Sequence, residues 1–128
     1  MRNSKRKPLR YFKLIRISLL IFIVFIFSGY LIPQNLTMPV LNASKNDWNP
    51  NAFWAYPWGK SIVHKGVDIF ATKGTPVVSA THGILLSSGY SEIAGNYLLI
   101  LGPKWRLHYY AHLDSINSDY PWLIKKGH

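Results

Sequence analysis

The longest uninterrupted apolar stretch of the sequence lies near its N-terminus, over residues 17–32. It contains no charged side chain and ends at Pro33. A membrane-spanning helix requires about 20 predominantly apolar residues, and residues 13–16 extend the stretch toward that length because long basic side chains can snorkel to the membrane surface. The pattern predicts a transmembrane signal anchor over residues 14–32.

Beyond Pro33 the apolar residues come in short runs, and no 3.6-residue period is sustained. Residues 33–56 are interrupted by proline and asparagine and are predicted to form a linker or lead-in. Residues 57–128 have the strand-and-turn spacing of a small antiparallel sheet or β-sandwich. The fold class is therefore mostly β, preceded by one N-terminal transmembrane helix. The predicted strands are residues 67–71, 77–80, 84–88, 97–101 and 105–113.

Four aromatic residues fall within six positions at the start of the predicted domain, namely Phe53, Trp54, Tyr56 and Trp58. Two interpretations of this cluster are open. The first, which we favour, is a packed edge of the domain. The second is a wall of a substrate groove.

Charge is distributed unevenly along the 128 residues, which carry a formal net charge of +10 and no cysteine. The lack of cysteine excludes a disulfide scaffold and a thiol nucleophile. Seven of the 15 basic residues lie in residues 1–16 with no acid, so the remainder holds 15 − 7 = 8 basic and 5 acidic residues. The positive-inside rule places residues 1–16 in the cytoplasm and everything beyond Pro33 outside. The charge orients an anchor and predicts no nucleic-acid partner.

Candidate chemistry rests on histidine and aspartate, because the sequence has no nucleophile elbow, P-loop or dinucleotide fingerprint. His64 and Asp68 are types of ligand that zinc accepts at about 2.0–2.2 Å. In a flat strand, residues four apart lie about 13 Å from each other. The pair can therefore share a metal only if the backbone curls, which is easiest at Gly66. By spacing alone, a surface pair is the other interpretation.

Strand alternation places His108, Tyr110 and His112 on one face of the last long predicted strand. Two histidines and a tyrosine are costly to bury without partners. His108 and Tyr110 are therefore candidate groove residues, with an exposed sheet face as the alternative.

Taken in order, these segments resemble the lysostaphin-type (LytM-like) zinc metallopeptidases, a family of bacterial cell-wall endopeptidases. The resemblance covers about residues 57–127. It is carried by Trp58-Gly59-Lys60, His64-Lys65-Gly66-Val67-Asp68-Ile69, Gly74-Thr75-Pro76-Val77 with Ala80 and Gly83, Gly95-Asn96-Tyr97, Tyr110-Ala111-His112-Leu113 and Lys125-Lys126-Gly127.

The resemblance implies that His64 and Asp68 bind zinc and that His112 is a catalytic histidine outside the metal shell. It implies a peptidoglycan stem or cross-bridge peptide as substrate. Together with the anchor, it implies a single-pass protein of the bacterial inner membrane whose domain faces the periplasm or cell wall.

The sequence departs from the family pattern in one respect. The family's third ligand and second catalytic histidine come from a later H-x-H strand, and the sequence stops at His128 before such a strand. Neither His82 nor His108 matches a ligand position. The resemblance therefore predicts a shortened family member, truncated before that motif.

Three functions are compared on this basis. The first is a membrane-anchored zinc endopeptidase. The second is a non-catalytic module of the same fold that binds peptidoglycan or regulates a cell-wall hydrolase partner. The third is a lipoyl-like carrier domain, which would need a lysine at a hairpin tip between apolar residues, a setting that Lys73 lacks.

Overall fold

The computed structural model describes residues 6–117, 119 and 121–128. Residues 1–5 of the predicted basic segment 1–16 lie outside the described residues. The structure opens with one long helix, α1, at Arg6–Leu31. Its portion Arg10–Leu31 is long and apolar enough to cross a membrane, judged by length and composition, and very little of it is buried. Its residues 17–31 carry no charged side chain, so this part has no charged, solvent-facing stripe of the kind that a surface helix shows.

The sheet has four antiparallel strands in the order β3-β2-β1-β4. Their bounds are Gly83–Ser91 for β1, Gly95–Leu101 for β2, Leu107–Leu113 for β3 and Leu123–Ile124 for β4. The mostly β fold with one N-terminal apolar helix is confirmed, and it takes the form of a single sheet. Four 3-10 turns complete the described elements, at Lys45–Asp47, Pro50–Ala52, Gly59–Ser61 and Pro103–Trp105.

Turn residues set the strand boundaries. Gly95 has φ +61° at the start of β2, a conformation that costs glycine little. Gly102 and Pro103 end β2 and begin the 3-10 turn that leads to β3. This turn shortens the strand predicted over residues 105–113, while the strands predicted over 84–88 and 97–101 lie within β1 and β2.

Two predicted strands are wrong. Residues 67–71 and 77–80 form only the isolated bridges Trp48↔Ile69 and Val40↔Val77 with the lead-in. Pro39 and Pro76 flank the Val40↔Val77 bridge and have no amide hydrogen to donate, so pairing at that bridge cannot extend into a regular ladder.

The lead-in is nevertheless joined to the domain by backbone hydrogen bonds. Thr37 donates to Ala80 at 2.9 Å, and Val78 donates to Pro39 at 2.7 Å. Farther along, Phe70 donates to Asp47 at 2.7 Å. The segment therefore lies against residues 69–80 from Thr37 onward.

The buried core lies beneath β1 and β2. Ile100 is 2% exposed and Thr81 is 1% exposed. Ser79 joins this core to the C-terminal residues, because its N–H donates to the carbonyl of His128 and its carbonyl accepts from Gly127. Within the described part of the chain, Val40, Ala52, Ala94, Pro103 and Ile124 are also buried.

The 3-10 turn between β2 and β3 contacts α1. The indole N–H of Trp105 donates to the Ile26 carbonyl at 2.8 Å, and its ring centroid lies 4.8 Å from that of Phe25. A Cβ atom on Gly29 would lie 2.0 Å from the Trp105 indole nitrogen. Glycine at position 29 therefore leaves the space that the indole fills.

Candidate active site

The backbone of His64 is held against the aromatic segment that precedes it. Its N–H donates to the Ala55 carbonyl at 3.0 Å, and its carbonyl accepts from the Trp54 N–H at 2.6 Å. Between these two residues, the Trp58 N–H donates to the Ile62 carbonyl at 2.8 Å. The chain therefore turns back on itself between Trp54 and His64, which fixes where the histidine side chain begins.

The imidazole ring of His64 is fixed by two further contacts. Nδ1 lies 2.9 Å from the Ala52 carbonyl oxygen. The Trp58 ring stacks on the imidazole with centroids 4.3 Å apart and an angle of 15° between the planes. A carbonyl oxygen can only accept a hydrogen bond, so Nδ1 carries the hydrogen. This assignment leaves Nε2 as the nitrogen available to a metal or to an added proton.

Asp68 faces that nitrogen. Its Oδ1 lies 3.3 Å from His64 Nε2, and the two side chains are 37% and 14% exposed, respectively. The chain bends at Gly66 between them. The curl that the sequence required for a shared ion is therefore present.

The distance between the two donor atoms fits a zinc ion. Two ligands at about 2.0–2.2 Å from a tetrahedral ion lie about 3.4 Å from each other. Without a cation or an Nε2 proton, the lone pair of Nε2 would face the carboxylate of Asp68, and both groups would be acceptors. A positive species between them satisfies both groups.

The pair supplies two of the three protein ligands that catalytic zinc sites use. Within residues 6–117, 119 and 121–128, no group of three or more His, Cys, Asp or Glu side chains is placed to hold one metal ion. His82 is exposed and accepts a hydrogen bond at Nδ1 from the Lys126 N–H at 3.2 Å. The described residues therefore supply two of the three protein ligands, and neither His82 nor His108 supplies the third.

His112 lies on a β-bulge of β3 and is exposed. Ala111 and His112 together lie opposite the single residue Tyr97, and the register shifts by one. His112 has φ +57°, a left-handed conformation in which histidine is enriched several-fold among non-glycine residues. The predicted alternation therefore holds from His108 to Tyr110 but is interrupted by the bulge before His112.

The two candidate groove residues are half-buried and have partners. The Tyr110 hydroxyl accepts from the Ala80 N–H at 2.8 Å. His108 Nε2 lies 3.3 Å from the side-chain nitrogen of Gln34, whose oxygen accepts from Arg106. Burial, with a smaller contribution from the Arg106 charge, lowers the pKa of His108 below 6.5. The ring of His108 is therefore neutral near pH 7.

The aromatic cluster is not a packed edge, so that interpretation is wrong. Phe53, Trp54 and Tyr56 are 57%, 61% and 75% exposed, and Trp58 is 39% exposed. Of these rings, Trp58 is the least exposed and stacks on the His64 imidazole. A groove wall remains the other interpretation.

Sequence reasoning missed two residues that shape the site. The contribution of Ala52 is a carbonyl group, which leaves no trace in the identity of a side chain. Asn96 donates its side-chain amide to the carbonyls of Leu113 and Asp114, directly after the bulge. The sequence shows that Asn96 follows Gly95 in a turn. The hydrogen-bond partners of its side chain depend on the pairing of β2 with β3, which the sequence does not show. Asn96 and Asp114 also line an open cavity of about 570 Å³.

The site combines a His–Asp pair suited to a metal with a further histidine on a bulge, in a mostly β domain that follows one apolar helix. Residues 62–128 match Peptidase family M23, and this match spans just over half of the chain. The chain belongs to this family, which confirms the resemblance to the lysostaphin-type peptidases. The matched residues include His64, Asp68 and His112.

Three curated proteins are similar to the chain. An L-Ala--D-Glu endopeptidase of Bacillus subtilis is 32% identical over 72 residues, which is 55% of this chain and 22% of that protein. An uncharacterized metalloprotease of Buchnera aphidicola is 35% identical over 97 residues, covering 74% and 24% of the two chains. A peptidoglycan DD-endopeptidase of Vibrio cholerae is 34% identical over 56 residues, covering 44% and 13%.

In each case the chain spans less than a quarter of the relative's length. No solved structure matches the chain. Two of the three relatives are named as endopeptidases, and the third is named as a metalloprotease.

Proposed function

We propose that the protein is a membrane-anchored zinc metalloendopeptidase that acts on the peptides of peptidoglycan. The observation that carries the proposal is the 3.3 Å separation of His64 Nε2 from Asp68 Oδ1, with His64 Nδ1 already bonded to a backbone carbonyl. His64 and Asp68 would hold the metal. Family membership and the names of two relatives as endopeptidases support the reaction class.

The roles of the residues follow from their chemistry. When bound, zinc lowers the pKa of a coordinated water to about 7 and polarises a peptide carbonyl. Asp68 contributes negative charge, and the Ala52 carbonyl keeps the His64 ring in the tautomer that presents Nε2. His112, exposed on its bulge, is available to accept a proton from the attacking water and return it to the leaving amine.

Zinc binding is the first test. The full chain in detergent micelles is expected to bind about one zinc, and His64→Ala is expected to lose most of this affinity. His82→Ala is the matched control, because His82 is exposed and bonded only to a backbone N–H among the contacts described for it. Isothermal titration with zinc measures both variants. Equal affinities for His64→Ala and the wild-type chain would overturn the assignment of the metal ligands.

Release of soluble peptide from purified peptidoglycan tests the activity itself. The wild-type chain with zinc is expected to release fragments, whereas His64→Ala and His112→Ala are expected to release none. Retained zinc binding in His112→Ala would separate a catalytic role from a ligand role.

A second candidate function is a non-catalytic module that binds peptidoglycan or regulates a cell-wall hydrolase. One observation favours it: the described residues place two metal donors together and not three. The wild-type chain would then co-sediment with insoluble peptidoglycan but release no soluble fragment. Failure to bind both the wall and any cell-wall hydrolase would count against this candidate.

The anchor belongs to the same proposal. Residues 1–16 would lie in the cytoplasm, residues 14–32 would cross the inner membrane, and residues 57–128 would form the domain on the periplasmic or cell-wall side. The apolar span Arg10–Leu31 supports this arrangement. The protein is expected to stay in the membrane pellet after extraction at alkaline pH. Recovery in the supernatant, or a mature N-terminus beyond residue 28, would indicate a cleaved signal instead.

A further inference from the structure

The bulge that carries His112 lies on an edge strand. β3 pairs with β2 on one side, and no other described strand covers its opposite side. A one-residue change of register turns every following side chain to the other face of a sheet. At the bulge, Ala111 and His112 lie opposite the single residue Tyr97. The direction of the His112 side chain therefore depends on the contacts that hold this bulge.

Asn96 closes the bulge on its C-terminal side. Its Nδ2 atom donates to the Leu113 carbonyl at 3.1 Å and to the Asp114 carbonyl at 3.0 Å. The amide thus uses both of its hydrogens on consecutive peptide groups. In a regular register, the residue opposite Asn96 would be His112 itself, so this pair of bonds is specific to the bulged arrangement.

The start of β2 closes the bulge on its other side. The His112 N–H donates to the Ala94 carbonyl at 2.7 Å. A Cβ atom on Gly95 would lie 3.7 Å from the His112 Cα. Residues 94–96 therefore contact the peptide groups on both sides of His112.

Another contact at this point is weaker. Lys73 Nζ lies 3.0 Å from Asp114 Oδ1, but the two side chains are 81% and 54% exposed. Exposed ion pairs contribute little to stability because water and salt screen them. The half-buried Asn96 is the better candidate to fix the register.

We propose that Asn96 is a positioning residue that sets the direction of the His112 side chain by holding the β3 bulge. The proposal rests on the proposed function, in which His112 transfers a proton. Asn96 does not touch the substrate in this role. It acts through the backbone that carries the histidine.

The test compares Asn96→Asp and Asn96→Gln in the full chain in detergent micelles. Aspartate keeps the shape of asparagine but turns two carboxylate oxygens toward two carbonyls, so both hydrogen bonds are lost. Glutamine keeps the amide at a longer reach. Asn35→Asp, an exposed asparagine of the lead-in, is the matched control for the change of charge.

On purified peptidoglycan with zinc, kcat of Asn96→Asp is expected to fall about 100-fold, the scale of a 1 Å misplacement of a catalytic group. KM is expected to change little, because uniform substrate binding is not altered. Asn96→Gln is expected to recover part of the loss. Zinc affinity is expected to match the wild type, since His64 and Asp68 lie on a different segment.

Imidazole NMR resonances give a readout that does not require activity. The His112 ring signals, assigned with a His112→Gln variant, are expected to shift in Asn96→Asp and to stay in place in Asn35→Asp. Unchanged His112 signals in Asn96→Asp would overturn the proposal, whatever the effect on thermal stability. An inactive wild-type chain whose His112 signals still respond to Asn96 would refute the peptidase function and leave the positional role of Asn96 intact.

Discussion

At the scale of single residues, the core contains a polar atom without a partner. Thr81 is 1% exposed, and within the described part of the chain its hydroxyl has no hydrogen-bond partner. A buried, unsatisfied hydroxyl costs about 1–3 kcal/mol of desolvation. The hydroxyl of Thr81 therefore destabilises the folded chain relative to an apolar side chain of the same shape.

Replacement of this residue gives the first prediction. Thr81→Val, which keeps the shape of the side chain, is expected to leave the free energy of unfolding unchanged or to raise it by about 1 kcal/mol. Thr81→Ala, which leaves a gap beside Gly102, is expected to lower it. Thermal unfolding of the full chain in micelles measures both. A clear loss of stability in Thr81→Val would show that the hydroxyl has a partner.

His108 gives a pH prediction at the same scale. Burial lowers its pKa in the folded chain below the ordinary value of 6.5, and Arg106 adds to the effect. The unfolded chain therefore binds the proton more readily than the folded chain. The neutral ring makes its full contribution to the free energy of unfolding above about pH 6.5, and this contribution is lost as the pH falls through the folded-state pKa of His108.

Unfolding temperatures measured at pH 7.5 and 5.0 test whether protonation of His108 lowers the stability of the folded chain. The decrease on acidification is expected to be larger in the wild type than in His108→Gln. The other titratable groups are common to both chains and cancel in the comparison. Equal decreases would show that His108 does not contribute.

At the scale of elements, the 3-10 turn Pro103–Trp105 joins the sheet to α1 through Trp105. A Cβ atom on residue 29 would lie 2.7 Å from Trp105 Cδ1, so the side chains of positions 29 and 105 share one space. Because Cδ1 is two bonds from the Trp105 Cβ, cysteine side chains at positions 29 and 105 would start close together, as a disulfide requires.

Engineered cysteines use this proximity. The natural chain has no cysteine, so Gly29→Cys combined with Trp105→Cys introduces the only thiols. The pair is expected to oxidise to an intramolecular disulfide, seen by mass spectrometry as the loss of two hydrogens. Tyr30→Cys with Trp105→Cys is the control, because Tyr30 is 58% exposed on another side of the helix. Equal oxidation of the two pairs would argue against a defined contact.

The elements that could be predicted are those whose residues form a local pattern in the sequence. α1 and β2 are runs of apolar residues, which local sequence shows directly. Residues 67–71 are also mostly apolar, but their partner is an irregular lead-in, and a strand needs a partner with regular donors and acceptors. The sequence marks Gly66 as the easiest place for a curl between His64 and Asp68 but leaves a surface pair open. The Ala52 carbonyl contact and the bulge at His112 arise from pairing between distant segments.

At the scale of the whole molecule, the charge is concentrated at one end. Seven of the 15 basic residues lie in residues 1–16, and the rest of the chain carries 8 basic and 5 acidic residues. Basic residues beside a membrane span are retained on the cytoplasmic side. The distribution therefore favours one orientation of α1.

Neutralisation of this segment gives the last prediction. Replacing its seven basic residues by serine is expected to produce a mixture of orientations. An alkaline phosphatase fused after His128, active only outside the cytoplasm, is expected to lose activity relative to the wild-type fusion. Replacement of the basic residues Lys125 and Lys126, far from the span, is the control. Full activity of the neutralised fusion would show that charge does not set the orientation.

The attachment of the lead-in has a consequence for where the protein can work. Helix α1 ends at Leu31, and Thr37 is already bonded to the domain at Ala80. The five residues between them span at most about 18 Å when fully extended, at about 3.3–3.6 Å each. Once α1 is in a bilayer, this short tether keeps the domain beside the lipid headgroups. If the protein acts on peptidoglycan as proposed, the tether restricts it to the layer of wall next to the membrane.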